Sequence, residues 1–189
     1  MLNWSNIYKV LEVLLLFGFC VEVAQSEDYS AIVSNVIVEE KPDNPWFKLN
    51  ADIDFKLSPV AKEALQKGIV LTWNVLIKVE QEGLLWNAAL EEKQINYKIK
   101  NHALLNLYSV NRDGVIDMFS TLNASLNAIS KIRNIAIINK QALQPGKKYQ
   151  VAVKVLFDRE ALPIPLRPIS YFDSQWALSS QWTLWQLQK

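Results

Sequence analysis

Few side chains in this sequence could do covalent or acid–base chemistry, and their spacing limits what each can be asked to do. His102, in "KNHALLN", is the single histidine, so a histidine-based metal cluster is excluded and a Ser-His-Asp triad would have to use this one ring. No G-x-S-x-G turn accompanies it, and Ser120 and Ser125 fall in a predicted helix. Asp52 and Asp54 stand two residues apart in an alternating segment, which aims both carboxyls at one face, as a metal or acid–base pair requires. Lys48 and Lys56 share that face, and alternating charge on a solvated strand is the ordinary origin of such a pattern. In "NRDGVID" Gly114 replaces the calcium ligand needed after Asp113, and no acidic residue closes the loop. Five glycines in the whole chain leave no phosphate cradle. The expectation is a protein that is not an enzyme, with no cofactor and no metal.

Tryptophan offers binding chemistry instead. The segment "SQWALSSQWTLWQL", residues 174–187, places three in ten positions. Read as a strand, it puts Trp176, Leu178, Ser180, Trp182 and Leu184 on one face, with Ala177, Ser179, Gln181, Thr183, Trp185 and Leu187 on the other. Burying a large aromatic side chain stabilises by roughly 2–3 kcal/mol, so Trp176 and Trp182 are expected to anchor the core. Trp185 shares its face with glutamine and threonine, the setting of a protein-contact hot spot. Trp86, in "QEGLLWNAALEEKQ", is the second candidate for a partner contact.

These residues need elements to hold them. "AIVSNVIVEE" is a predicted strand, followed by a turn at "KPDNP". "FKLNADIDFKL" alternates strictly, with Phe47, Leu49, Ala51, Ile53, Phe55 and Leu57 on one face. "SPVAKEALQKG" is a short helix with Ser58 as N-cap, Pro59 at its first position and Gly68 as its stop. Alternation returns in "VLTWNVLIKVE", "EKQINYKIK" and "YQVAVKVLF", and Asp113-Gly114 suits a hairpin turn between "HALLNLYSV" and "GVIDMF". Ser120 can cap a second helix bearing a stripe of Leu122, Leu126, Ile129 and Ile132, after which "IAII" forms a short strand. The three prolines of "LPIPLRP" bar it from a central strand. About eight strands and one or two helices are expected, in a mainly β (α+β) fold whose two antiparallel sheets pack as a sandwich. "LQPGKKYQVAV" sets a Pro-Gly turn three residues before Tyr149 and resembles the tyrosine corner of immunoglobulin and fibronectin type III sandwiches.

Composition supports one folded domain over residues 27–189. Half the residues are hydrophobic, and seven Trp, seven Phe and six Tyr are too many for a disordered chain. Twenty basic residues against nineteen acidic ones, with no basic block, argue against a nucleic-acid partner. Residues 1–26 have the form of a signal peptide: Lys9, the uncharged run Val13–Val21, and "AQS" before a cleavage expected after Ser26. An uncleaved anchor to the inner membrane is the alternative, and the domain is exported to the periplasm in either case. Membrane association is expected only through this segment, if it is retained. Cys20 is the only cysteine, and Phe19 before it does not suit a lipoprotein signal.

"DIDFKLSPVAKEALQKGIVLTW", "YKIKNHALLNLYSV", "ALQPGKKYQVAVKVLFD", "LPIPL" and "WALSSQWTLW" together resemble, in order and over nearly the whole chain after the leader, an exported Gram-negative family catalogued as domain of unknown function 4390. The resemblance carries no catalytic or ligand residues. It implies an aromatic and basic patch before the tyrosine-rich strand, of which Trp86 is retained here. It also implies, through genes encoded close by, association with a membrane sensor histidine kinase of the nitrogen-regulation type. An envelope interaction or signalling-accessory domain is therefore expected, with a module binding lipid or glycan between the sheets or beside Trp86 as the alternative.

Overall fold

The computed structural model describes residues 29–187; the predicted leader and Cys20 lie outside the described residues. Strands β1 (Ala31–Glu39), β2 (Trp46–Phe55) and β7 (Lys131–Asn139) form one sheet in the order β1-β2-β7. A second sheet has the order β6-β5-β4-β3-β8-β9, from β3 (Leu71–Gln81), β4 (Ala88–His102), β5 (Leu107–Arg112), β6 (Val115–Phe119), β8 (Tyr149–Phe157) and β9 (Thr183–Leu187). Every pairing is antiparallel. Three short helices complete the described fold: α1 (Pro59–Gln66), α2 (Leu122–Ile129) and α3 (Leu166–Phe172).

Side chains alternate across a strand, so period-two sequences have one greasy face each, and these faces meet. Phe47, Leu49, Ala51 and Ile53 of β2 are buried against Trp73, Val75 and Ile77 of β3 and Val151, Val153 and Val155 of β8, within one hydrophobic cluster. The layout is that of an immunoglobulin-like sandwich. Its first, second and seventh strands face a sheet centred on the third and eighth, and a buried tryptophan, Trp73, sits on the third. Tyr149 opens β8, and its hydroxyl accepts the backbone N–H of Gln144 at 2.7 Å, closing the predicted tyrosine corner.

Aromatic rings tie the layers together. Phe55 meets Trp73 edge-on at 5.4 Å between centroids, Trp73 meets Phe157 at 5.4 Å, and Phe157 stacks on Trp176 at 5.9 Å. The Trp73 indole N–H donates to the Leu178 carbonyl at 3.2 Å, so its one polar atom is satisfied inside the core.

Both strands flanking β2 carry extra residues, one in β1 and two in β7, where Ile137 is one of them, opposite Phe47–Lys48. The β1 register slips between Ser34 and Ile37, where Asn35 adopts φ +49°. The β7 ladder slips opposite Leu49–Ala51, where Asn134 adopts φ +56°. Asparagine tolerates this left-handed backbone better than other side-chain-bearing residues, and each bulge bends its strand.

The helices show where local signals were sufficient. The Ser58 hydroxyl accepts from the Ala61 N–H at 3.0 Å, Pro59 opens α1, and Gly68 leaves it at φ +82°. For α2 the cap is Thr121 rather than Ser120: Thr121 has the extended backbone and accepts from the Ala124 N–H at 3.1 Å. Ile132 does not continue the helical stripe, because α2 ends at Ile129 and Ile132 is buried in β7, which at nine residues is longer than "IAII". The proline segment leads into α3, a third helix that sequence did not indicate. Pro168 fits there because first-turn N–H groups have no intrahelical acceptor.

Register also fixes two ends. At the near end, where Ala31 pairs with Phe55, the described chain begins and α1, the β4–β5 turn and the 158–182 connection emerge. At the far end lie the β1–β2 turn, the β3–β4 hairpin and the 140–148 connection.

A candidate contact surface at the far end

Strand β3 hydrogen-bonds β4 up to Gln81–Ala88, so the six residues 82–87 form the hairpin tip. Leu84, Leu85 and Trp86 occupy it, at 100%, 82% and 76% exposure. The loop is fastened below them. Gly83 donates its backbone N–H to Asn87 Oδ1 at 3.4 Å, and Asn87 Nδ2 donates to Glu80 Oε2 at 3.2 Å. Glu80 also accepts from Gln150 Nε2 of β8 at 2.8 Å. A β-carbon on Gly83 would lie 2.1 Å from the Trp86 carbonyl oxygen, so only glycine permits this closure.

Trp185 lies at the same end. It pairs with Val151 and shares the inward parity of Leu187, yet it is 48% exposed because β9 is an edge strand. It lines a cleft of about 430 Å³ between the two sheets, with Val38, Glu40, Phe47, Leu184 and Leu187. Its polar-face placement in the sequence reading is thus corrected: Trp185 faces the gap between the sheets. Gln186 Nε2 reaches Glu82 Oε1 at 2.6 Å, tying β9 to the base of the hairpin. The two predicted contact residues, Trp86 and Trp185, therefore stand at one end of the sandwich.

The other tryptophans divide differently from the expectation. Trp176 is buried at 1% exposure, in a single 3-10 turn, Ser174–Trp176, rather than in a strand. Trp182 is 39% exposed on the outer face of the six-stranded sheet, where the Lys78 and Lys154 ammonium groups lie 5.8 and 5.7 Å from its ring centre. It is not a core anchor. The segment is a strand only from Thr183, so the projected two-face alternation fails before that point.

His102 Nε2 lies 2.9 Å from Ser109 Oγ on the outward parity of β4 and β5. Among the described residues no carboxylate hydrogen-bonds the ring to orient it as a base. Asp52 and Asp54 line one depression of about 440 Å³, with Asn123, Asn127 and Ser130. The Asp52 carboxylate is already engaged by the Arg133 guanidinium and by Asn35 Nδ2 at 3.0 Å, so it staples β2 to both neighbouring strands. The Arg133 hydrogen bond, and then that of Asn35, hold its carboxyl below the ordinary value of 3.8. No metal-holding group of three or more His, Cys, Asp or Glu occurs among the described residues, and no described helix is long and apolar enough to cross a membrane.

Leu84 and Leu85 were missed by sequence reasoning. The signal was present in "EGLLWN", an apolar triplet in a hairpin loop, where polar turn residues are the rule. No curated protein and no solved structure matches the chain. The family model of domain of unknown function DUF4390 matches residues 30–186, taking in both sheets and the far-end tip, and the chain belongs to that family.

Proposed function

We propose that the chain is an exported, non-enzymatic interaction domain of the cell envelope that holds a protein partner through its far end. The observation that carries this reading is the Leu84–Leu85–Trp86 tip. Single exposed apolar side chains are common on soluble proteins, but three in succession on a loop braced by Gly83, Asn87 and Glu80 form a prepared contact. The half-open Trp185 cleft beside it extends the surface. Asp52 staples strands together, and among the described residues the His102–Ser109 pair has no acid partner, which supports a role without chemistry. The Val13–Val21 run and "AQS" support export.

A photo-crosslinking side chain at position 85 or 185 tests the reading in cells, with a membrane sensor kinase of the nitrogen-regulation type as the first partner to examine. Crosslinks to one protein from both positions, and not from Leu156 on the outer face of β8, are the expected result. Equal capture from all three positions, or none from 85 and 185, overturns it. The cleft volume favours a second reading, a lipid or glycan seated beside Trp185. That ligand would quench tryptophan fluorescence in wild-type protein and fail to do so fully in Trp185→Phe.

A further inference from the structure

The near end carries a second apolar surface that the partner contact does not use. Leu104, in the 3-10 turn between β4 and β5, is fully exposed, and Leu105 beside it is largely so. Ile164 and Phe172, in the 158–182 connection, are 76% and 91% exposed. These two groups flank α1: Asn101 Nδ2 donates to the Gln66 carbonyl at 3.5 Å on one side, and Ser174–Trp176 packs against α1 on the other. Around them Lys56, Lys62 and Lys100 are exposed and form no ion pair among the described residues. The acidic groups of the same connection, Asp158, Glu160 and Asp173, are engaged by the Ala161 N–H, the Tyr171 hydroxyl and the Gln175 N–H. Large apolar tips at an end that also carries unpaired lysines fit an anionic lipid surface: the tips pass below the headgroups and the ammonium groups stay among the phosphates.

With the leader retained as an anchor, the course of the chain says what covers this end. Tyr29 begins the described residues here, and the uncharged run Val13–Val21 precedes it by eight residues, which reach at most about 29 Å when extended. A chain held to a bilayer by that run cannot carry the near end far from it, and the far-end tip then points away.

We infer that the near end of the sandwich, through Leu104 and Phe172, seats on the surface of an anionic lipid bilayer. This rests on the envelope location proposed above, with the leader retained, and adds a membrane contact made by the folded domain itself. The test uses the full chain carrying Cys20→Ser, with one new cysteine in each of three variants: Leu104→Cys, Phe172→Cys, and Leu85→Cys at the far end. Each cysteine is labelled with an environment-sensitive fluorophore, and the protein is added to phosphatidylglycerol–phosphatidylethanolamine vesicles containing acyl-chain-brominated lipid. Circular dichroism matching wild type shows that each variant is folded.

Labels at 104 and 172 are expected to shift to shorter wavelength and to be quenched at least threefold more than the label at 85. Equal quenching at all three positions, or none at 104 and 172, overturns the inference, whether the chain is vesicle-bound through its N-terminal segment or stays in solution. The partner contact has a separate readout, crosslinking from positions 85 and 185, so either idea can fail alone.

Discussion

Ser180 and Val155 are joined by two hydrogen bonds: the Ser180 N–H donates to the Val155 carbonyl at 2.8 Å, and the Val155 N–H donates to the Ser180 hydroxyl at 2.8 Å. The preceding Ser179 hydroxyl takes the Phe157 N–H at 2.9 Å. Strand β9 pairs with β8 only as far as Thr183–Val153, so two serine side chains stand in for the missing ladder carbonyls. Each buried N–H left without an acceptor costs about 1–3 kcal/mol. Ser180→Ala should lower stability within that range and Ser179→Ala somewhat less, read from urea unfolding midpoints at unchanged slope.

The tryptophans should separate cleanly by stability. Trp176→Ala empties a site stacked on Phe157 and is expected to cost about 3–5 kcal/mol. Trp182→Ala removes only the company of two surface lysines and should cost under about 1 kcal/mol. Thermal or urea unfolding of the two variants checks the order, and a reversed order would contradict the core described above.

Tyr149→Phe keeps the ring that fills the sandwich and deletes the acceptor of the Gln144 N–H. A loss of about 1–2 kcal/mol is expected, measured by the same unfolding experiment.

Acid sensitivity should change at Asp52. Its folded carboxyl titrates below its unfolded value, so the folded state binds fewer protons across that interval and stability rises with pH there. The contribution is fully present above the ordinary aspartate range and is lost as pH falls through the lowered value. Asp52→Asn should therefore flatten the decline in stability below about pH 4 while leaving the profile near neutrality parallel to wild type. Urea midpoints collected from acid to neutral pH provide the comparison.

Gly83→Ala is the sharpest probe of the tip. The added carbon collides with the Trp86 carbonyl, so the loop must open, yet the core lies elsewhere. Global stability should change little, and crosslinking from position 85 should fall severalfold.

The β framework was legible because alternation is a direct imprint of a half-buried strand: Phe47 through Ile53 and Tyr149 through Phe157 announce their inward faces. The caps of α1 were legible for the same local reason. What escaped was set by contacts distant in sequence. Trp182 resembles Trp176 in spacing, and only the course of residues 177–182 along the edge of β8 decides which ring is covered. Trp185 looked polar-facing because its neighbours are polar, whereas its direction follows from pairing with Val151 at a sheet margin. The bulges at Asn35 and Asn134 left no pattern in the residues beside them, since each depends on the strand opposite.

The bulge at Asn35 has a consequence for how molecules of this protein treat each other. Strand β1 is the last of its sheet, and a straight row of unpaired amides there would invite a neighbour to zip alongside. One asparagine turned the wrong way breaks that row near its middle, and the Asp52 carboxylate locks it in place. On this flank the kink disfavours edge-to-edge pairing between copies of the chain.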